Sequence, residues 1–311
     1  MGAVNYLRLS VTDRCNLRCF YCMPREGIPL APREEILTFE EMERVASILS
    51  SLGVKHIRIT GGEPLVRRGL ERLVLALSKM AVDLSLTTNG VLLSSFAGAL
   101  KRAGLRRVNI SLDTLRRERF KRVTGRDLLP AVLEGIEAAL EVGLRPVKLN
   151  VVVMRGVNDD EVGDFVRFAL ERGLVLRFIE LMRSTPLWRE DLFVPVEEVR
   201  RFCEREFGLK ELGPMGPGPA VYYEVGGGGV VGFIKASEEN CSRCGRLRLS
   251  ATGRLRVCLF EPDGLDLKPL LRGGASDKEI KAEVERRLWL KRGRTFRDWS
   301  AGRTLMCQVG G

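Results

Sequence analysis

The chain holds a single histidine, His56, in 311 residues. That scarcity excludes every histidine-based zinc motif and most acid–base schemes built on imidazole. No apolar run approaches the roughly 20 residues that a membrane-spanning helix requires. The opening stretch MGAVNYLRLS lacks the apolar core of a secretory signal. The expectation is a cytoplasmic protein with no membrane role, in a compartment where thiols stay reduced. There is no GxxxxGKS or GxxxxGKT sequence, so a nucleoside triphosphate has to be held without a Walker loop. Gly227, Gly229 and Gly232 fit a GxGxxG pattern, but no helix follows them, and the dinucleotide reading fails on context. Aromatic residues are 6% of the chain and form no stacking pattern, which counts against nucleic acid as a partner. Lysine is also scarce, at 11 against 40 arginines in a net charge of +11. The guanidinium fork suits phosphate oxygens, so the arginines point either to phosphate-bearing partners or to a genomic bias in composition.

Cysteine, by contrast, is present eight times, which in a reducing compartment argues for metal or redox chemistry rather than disulfides. Residues 13–22 read DRCNLRCFYC and carry Cys15, Cys19 and Cys22. A second set, Cys241, Cys244 and Cys258, again numbers three. All-cysteine zinc sites use four ligands, so each set is either a truncated zinc site or a site with an opening. A cubane 4Fe–4S cluster offers four irons to protein ligands, and three thiolates leave one iron open. Cys203 lies beside Phe202 and Phe207 on a helical pattern and reads as a small buried hydrophobe. Cys307 reads as a fourth ligand or a free thiol in the tail.

The chain alternates strands and helices. Strand patterns fall near 5–12, 55–60, 82–87, 106–112, 147–153 and 174–180. Helical patterns lie between them at 38–52, 68–80, 91–103, 130–143 and 159–172. Thr38 followed by Glu41 has the spacing of a capping box. Six βα units imply a parallel sheet with right-handed crossovers. The expected fold is therefore α/β, a partial six-stranded (βα)6 relative of the TIM barrel spanning residues 1–190, with an open doubly wound sheet as the alternative. Residues 191–311 form a hairpin-rich C-terminal region that closes the barrel: a helix at 194–209, an irregular connector at 213–219, hairpins around GGGG (226–229) and ATG (251–253), and a charged helix near 276–290.

In a parallel barrel the loops after the strands build the active site. The unusual sequences all fall there: DRCNLRCFYC after strand one, TGGEP (60–64) after strand two, TTNG (87–90) after strand three and SLD (111–113) at the end of strand four. Lys148 and Asn150 share one face of strand five, and RFIELM (177–182) ends strand six. Two glycines in TGGEP let the backbone approach a ligand closely or simply make a tight turn.

Together, LRLSVTDRCNLRCFYCMP, IRITGGEPLVRR, LTTNG, RRVNISLD, RFIELM, RLRLSATGRLRVCLF and the terminal GG resemble the radical S-adenosylmethionine superfamily and, within it, the GTP 3′,8-cyclase family of molybdenum cofactor biosynthesis. The resemblance runs from about Leu7 to Gly311. It implies a 4Fe–4S cluster on Cys15, Cys19 and Cys22, and a second on Cys241, Cys244 and Cys258 whose open iron faces guanine. It implies that Tyr21, Gly62, Ser111 and Met182 contact S-adenosylmethionine. It implies that Arg8, Arg58, Thr87, Lys148, Arg246, Leu247 and Arg248 contact GTP, and that the Gly310–Gly311 tail reaches the site. The implied chemistry is a deoxyadenosyl radical that takes hydrogen from ribose C3′, followed by closure onto guanine C8. The implied partners are an electron donor, cyclic pyranopterin monophosphate synthase downstream, and a second copy as a homodimer. His56 and Gly245 depart from that pattern, where relatives often carry lysine and a larger polar residue. Two other readings are a two-cluster radical enzyme acting on RNA or a peptide, and a basic zinc-ribbon RNA-binding protein.

Overall fold

The structure is a computed structural model that describes residues 4–182, 186–235, 244–289, 291 and 305. Cys241, Cys307 and the Gly310–Gly311 tail lie outside the described residues.

Six strands form where the alternation of side chains places them: β1 Tyr6–Ser10, β2 His56–Thr60, β3 Asp83–Thr88, β4 Arg107–Ser111, β5 Val147–Val153 and β6 Val175–Glu180. They are parallel and adjacent in chain order. Alternate residues along each strand, such as Leu7 and Leu9, Ile57 and Ile59, and Val108 and Ile110, are buried. They meet the crossover helices α1 Phe39–Ser51, α2 Leu70–Ser78, α3 Leu93–Arg102, α5 Leu129–Glu141 and α6 Val162–Arg172 in one apolar core. The capping box forms as the spacing implies: Thr38 Oγ1 accepts from Glu41 N at 3.2 Å, and Glu41 Oε2 accepts from Thr38 N at 2.7 Å. Helix α4 Arg117–Thr124 is not anticipated from sequence and buries only Phe120, Val123 and Thr124.

Beyond β6 the chain returns to the same sheet on both edges. Helix α7 Val196–Phe207 leads to β7 Leu209–Pro214, β8 Val221–Val225 and β9 Gly229–Ile234. Gly226, Gly227 and Gly228 turn the β8–β9 hairpin at φ +58°, +76° and +139°, values that favour glycine. Strand β9 then pairs parallel to β6. At the other edge β10 Arg246–Leu249 pairs parallel to β1, followed by antiparallel β11 Arg254–Arg256 and β12 Leu265–Asp266. The full order is β12-β11-β10-β1-β2-β3-β4-β5-β6-β9-β8-β7. The expected six-stranded core is thus flanked by one further parallel strand on each side. Among the described residues β9 and β10 do not pair, so the barrel stays open there. Helices α8 Lys268–Arg272 and α9 Asp277–Trp289 follow, tied to α1 by Arg272 on Glu41 and Arg44 on Asp277.

Helix α5 packs on the loop after β3 through a glycine contact. A Cβ on Gly135 would lie 2.4 Å from the carbonyl oxygen of Gly90. Gly98 on α3 meets only the flexible end of Arg102 at 3.4 Å. Alanine raises intrinsic helix preference at both positions. Gly135→Ala should nevertheless destabilise the fold by about 1–3 kcal/mol through overpacking, whereas Gly98→Ala should stabilise it by about 0.4–1 kcal/mol. Urea unfolding of the two variants measures this, and equal signs would contradict the packing described.

Candidate functional site

The loop after β1 carries Cys15, Cys19 and Cys22 and is fixed from outside by α4. Arg18 N donates to Thr124 O at 2.8 Å, and Phe20 N donates to Val123 O at 3.1 Å. Inside the loop, Cys22 N and Met23 N both donate to Cys19 O, and Arg18 Nη1 donates to Cys15 O at 2.7 Å. All three thiols line one cavity of ≈ 290 Å³. Among the described residues, no three Cys, His, Asp or Glu side chains converge closely enough to share a single metal ion. Three thiols on one wall that do not meet at a point suit a cluster with its irons at separate corners better than a tetrahedral zinc site. Burial, together with Asp113 and Cys15, pushes the Cys19 thiol well up. Metal ligation would remove that proton, because a coordinating thiol is held deprotonated.

The TGGEP loop after β2 lies directly against the cysteine loop. Gly62 N donates to Thr12 O and Glu63 N donates to Arg14 O, each at 2.8 Å. A Cβ on Gly61 would sit 2.7 Å from Thr12 O, and one on Gly62 would sit 2.4 Å from Arg14 O. The glycines therefore let two stretches of this chain approach each other, while both residues also line the cavity. Glu63 is buried and takes three donors: Leu65 N at 3.0 Å, Thr88 Oγ1 at 2.7 Å and Asn89 N at 2.7 Å. Burial raises its carboxyl to about 7 against the pull of those hydrogen bonds. Asn89 reaches on to Asn16 Oδ1 at 2.8 Å. One carboxylate thus locks the β2 and β3 loops together beside the cysteines. Across the cavity, Tyr21 donates to Asp113 Oδ2, and Val152 N donates to Asp113 Oδ1 at 2.9 Å. Burial moves Asp113 up to about 6 and is the main cause that raises Tyr21.

The barrel interior is cationic. Register places Arg248, Arg8 and Arg58 side by side across β10, β1 and β2, and all three line the cavity with Arg246 and Arg177. Burial lowers Arg8 well below the usual range, helped by Arg248 and Arg58. Burial brings Arg248 to about 10, with Arg246 adding to the effect, and brings Arg177 to about 10, with Arg58 adding. Arg177 Nη2 donates to Asn109 Oδ1 at 2.6 Å. Arg177 Nε, Thr87 Oγ1 and Asn150 Oδ1 are buried with no hydrogen-bond partner, and all three residues line the cavity. Buried polar atoms in folded proteins are normally satisfied, so this lining is shaped for a polar, anionic ligand.

The structure brings Cys15, Cys19, Cys22, Tyr21, Gly62, Ser111, Met182, Arg8, Arg58, Thr87, Arg246 and Arg248 to one cavity. Four of the described candidate residues stand apart from it: Leu247, Lys148, Cys244 and Cys258. Leu247 points to the helix side of β10 and is fully buried in the apolar core, because alternation sends its side chain away from Arg246 and Arg248. Lys148 Nζ donates to Tyr222 Oη at 3.1 Å and does not reach the cavity wall. Arg177 was missed as a site residue, although a charge in the middle of an apolar strand is a legible sign of an inward-facing position.

At the β10 edge, Arg246 Nε donates to Cys244 Sγ at 3.3 Å, and Lys291 Nζ donates to Arg246 O at 2.6 Å. Burial acts to raise the Cys244 thiol, but Arg246 and Lys291 outweigh it and bring it to about 7. Cys258 acts electrostatically on Arg248 and Lys291 together with Cys244. A thiol of lowered pKa is the form that binds metal. Cys203 is fully buried in the core, its thiol pushed up to about 12 by burial, as a small hydrophobe should be.

The Radical SAM superfamily matches residues 9–169, and the Molybdenum Cofactor Synthesis C family matches residues 174–296. Proteins named GTP 3′,8-cyclase align along almost the whole chain. The one from Pelotomaculum thermopropionicum is 48% identical over 99% of this chain and 98% of its own length. Those from Heliobacterium modesticaldum and Moorella thermoacetica are 48% and 46% identical at the same coverage. Among solved structures, Streptococcus suis SuiB bound to S-adenosylmethionine superposes with a TM-score of 0.61 at 16% identity, covering 91% of this chain and 68% of that one. SuiB bound to its precursor peptide SuiA gives 0.63 at 17%, and the match spans 66% of that chain. The likeness to SuiB shows the fold alone.

Glu63→Gln tests the lock between the loops. An amide nitrogen in place of one carboxylate oxygen faces a donor instead of accepting from it. The variant should lose about 1–3 kcal/mol of stability in urea unfolding of the metal-free protein. An unchanged midpoint would contradict the three-donor arrangement.

Proposed function

The chain belongs to the GTP 3′,8-cyclase family of radical S-adenosylmethionine enzymes, and from that premise we propose how its own residues hold the reactants. Cys15, Cys19 and Cys22 would hold a 4Fe–4S cluster, and Tyr21, Gly62, Ser111 and Met182 on the same cavity wall would contact S-adenosylmethionine. GTP occupies the arginine-lined interior, with its triphosphate on Arg8, Arg58, Arg177 and Arg248 and with Thr87 Oγ1 and Asn150 Oδ1 as further partners. Cys241, Cys244 and Cys258 carry a second 4Fe–4S cluster at the β10 edge. When bound, these groups would supply a 5′-deoxyadenosyl radical to take hydrogen from C3′ of GTP; C3′ would then bond to guanine C8, and one electron and one proton would complete the 3′,8-cyclised dihydro product. That product opens molybdenum cofactor biosynthesis and passes to cyclic pyranopterin monophosphate synthase.

The observation that carries this reading is the shared cavity: three thiols and five arginines, Arg8, Arg58, Arg177, Arg246 and Arg248, face one space. A triphosphate of about four negative charges is the counterpart that relieves such crowding, because charge-assisted and bidentate contacts are the strong ones. Arg8 and Arg248 hold phosphate while Arg177, braced by Asn109, orients it from the opposite strand. The hydrogen-bonded pair of Tyr21 and Asp113 fixes the ring beside the cluster. The apolar positions Leu17, Val152, Ile179 and Leu181 on the same wall keep water from the reacting carbons. Lys148 serves through Tyr222 rather than by direct contact. Residues 1–190 supply the radical half of the site and residues 191–311 the purine half.

Anaerobic reconstitution tests the assignment. The protein should take up about eight irons per chain, as two 4Fe–4S clusters require, and form cyclised product from GTP and S-adenosylmethionine under dithionite. Arg248→Ala and Arg177→Ala should keep that iron and weaken GTP binding roughly ten- to hundredfold, the loss of a charged hydrogen bond. Four irons, or GTP affinity unchanged in both variants, would overturn the respective half of the reading.

A further inference from the structure

A second cavity, ≈ 670 Å³, lies on the outer side of the cysteine loop. Its wall includes Phe20 and Arg25 from that loop, Arg119 and Arg122 from α4, and Trp188 and Arg189 from the segment after β6. Only one thickness of chain separates it from the inner cavity. Phe20 lines the outer space, while its neighbours Cys19, Tyr21 and Cys22 line the inner one. The Phe20 and Tyr21 rings meet edge to face at 5.8 Å. The wall is held by backbone: Phe20 N and Arg18 N bond to the end of α4.

Its charge is one-sided. Arg119 is engaged by Asp160 and Glu161, and Arg189 by Asp191. Arg25 and Arg122 are exposed and form no ion pair among the described residues. Exposed, unpaired arginines around an aromatic floor suit a transient, polar contact of the kind that electron-transfer partners make.

We propose that this arginine-rimmed pocket docks a small acidic one-electron carrier protein, which reduces the cluster on Cys15, Cys19 and Cys22 through the Phe20 wall. The proposal rests on the cluster assignment above. The carrier is oxidised by one electron and the cluster gains it; no atom or proton changes place. Opposite charge speeds the encounter and sets its salt dependence, and the aromatic floor gives the carrier's exposed redox edge an apolar seat.

The test uses the reconstituted protein and a bacterial flavodoxin as the probe, with Arg25→Glu/Arg122→Glu compared against Lys79→Glu/Lys278→Glu, a charge-matched change at exposed positions elsewhere. Flavodoxin should bind the wild type and the control pair with an affinity that falls as salt rises. It should bind the Arg25/Arg122 pair about tenfold or more weakly at low salt. Cleavage of S-adenosylmethionine driven by reduced flavodoxin should fall with binding, while cleavage driven by dithionite and the iron content stay at wild-type level. Equal flavodoxin binding by both pairs, or no salt-dependent binding to the wild type, would overturn the docking site. Loss of dithionite-driven cleavage in the wild type would instead overturn the cluster assignment, and the binding comparison would still decide the docking site.

Discussion

Five like charges, Arg8, Arg58, Arg177, Arg246 and Arg248, crowd around one interior cavity, and the strands that carry them are organised by that crowding. A parallel barrel ordinarily fills its interior with branched apolar side chains. Here the inward positions of β10, β1, β2 and β6 include five arginines, and burial drives Arg8, Arg177 and Arg248 below their normal range. The two faces of each strand have divided the work. Leu7, Leu9, Ile57, Ile59, Leu247 and Leu249 build the core against the helices, which stabilises the sheet enough for its inner face to be shaped for a ligand. Strand β10 matters most in this arrangement. By pairing parallel to β1 it delivers Arg246 and Arg248 to the interior and puts Cys244 at the rim.

The cysteine loop has the opposite problem, since an irregular loop must be kept rigid. Backbone contacts, not side chains, do most of this. The loop is clamped between the end of α4 and the glycines of TGGEP, which approach too closely for any Cβ. Glu63 then ties that contact to the loop after β3. A radical reaction requires its groups to be held in register and water to be kept out, and a site built from tightly packed backbone meets both needs.

Much of this was legible in the sequence. Strand periodicity located β1 to β6 to within a residue or two, and Thr38 with Glu41 marked the start of α1, because those signals are local. The position of the three cysteines after the first strand implies a place on the rim, and all three line the cavity. Helix α4 escapes a sequence reading because five of the eight residues in RERFKRVT are charged and it packs by only three. The C-terminal strands were read as hairpins, which they are in part, but their parallel pairing to β1 and β6 joins residues more than 50 positions apart, and no local pattern encodes that. Alternation alone should have excluded Leu247 from the cavity and promoted Arg177 into it. The glycines of TGGEP fit either a close approach to a ligand or a plain tight turn on sequence alone, and the structure shows that they first make room for the cysteine loop.

The central claim is that the buried arginines form a site for a polyanion whose charge the fold itself does not supply. Thermal unfolding of the metal-free protein with added GTP, GMP or guanosine addresses it most directly. A ligand that binds only the folded state stabilises it in proportion to its affinity. GTP should raise the midpoint clearly, GMP less and guanosine least, with the GTP effect fading as salt increases. Equal shifts for GTP and guanosine would contradict it.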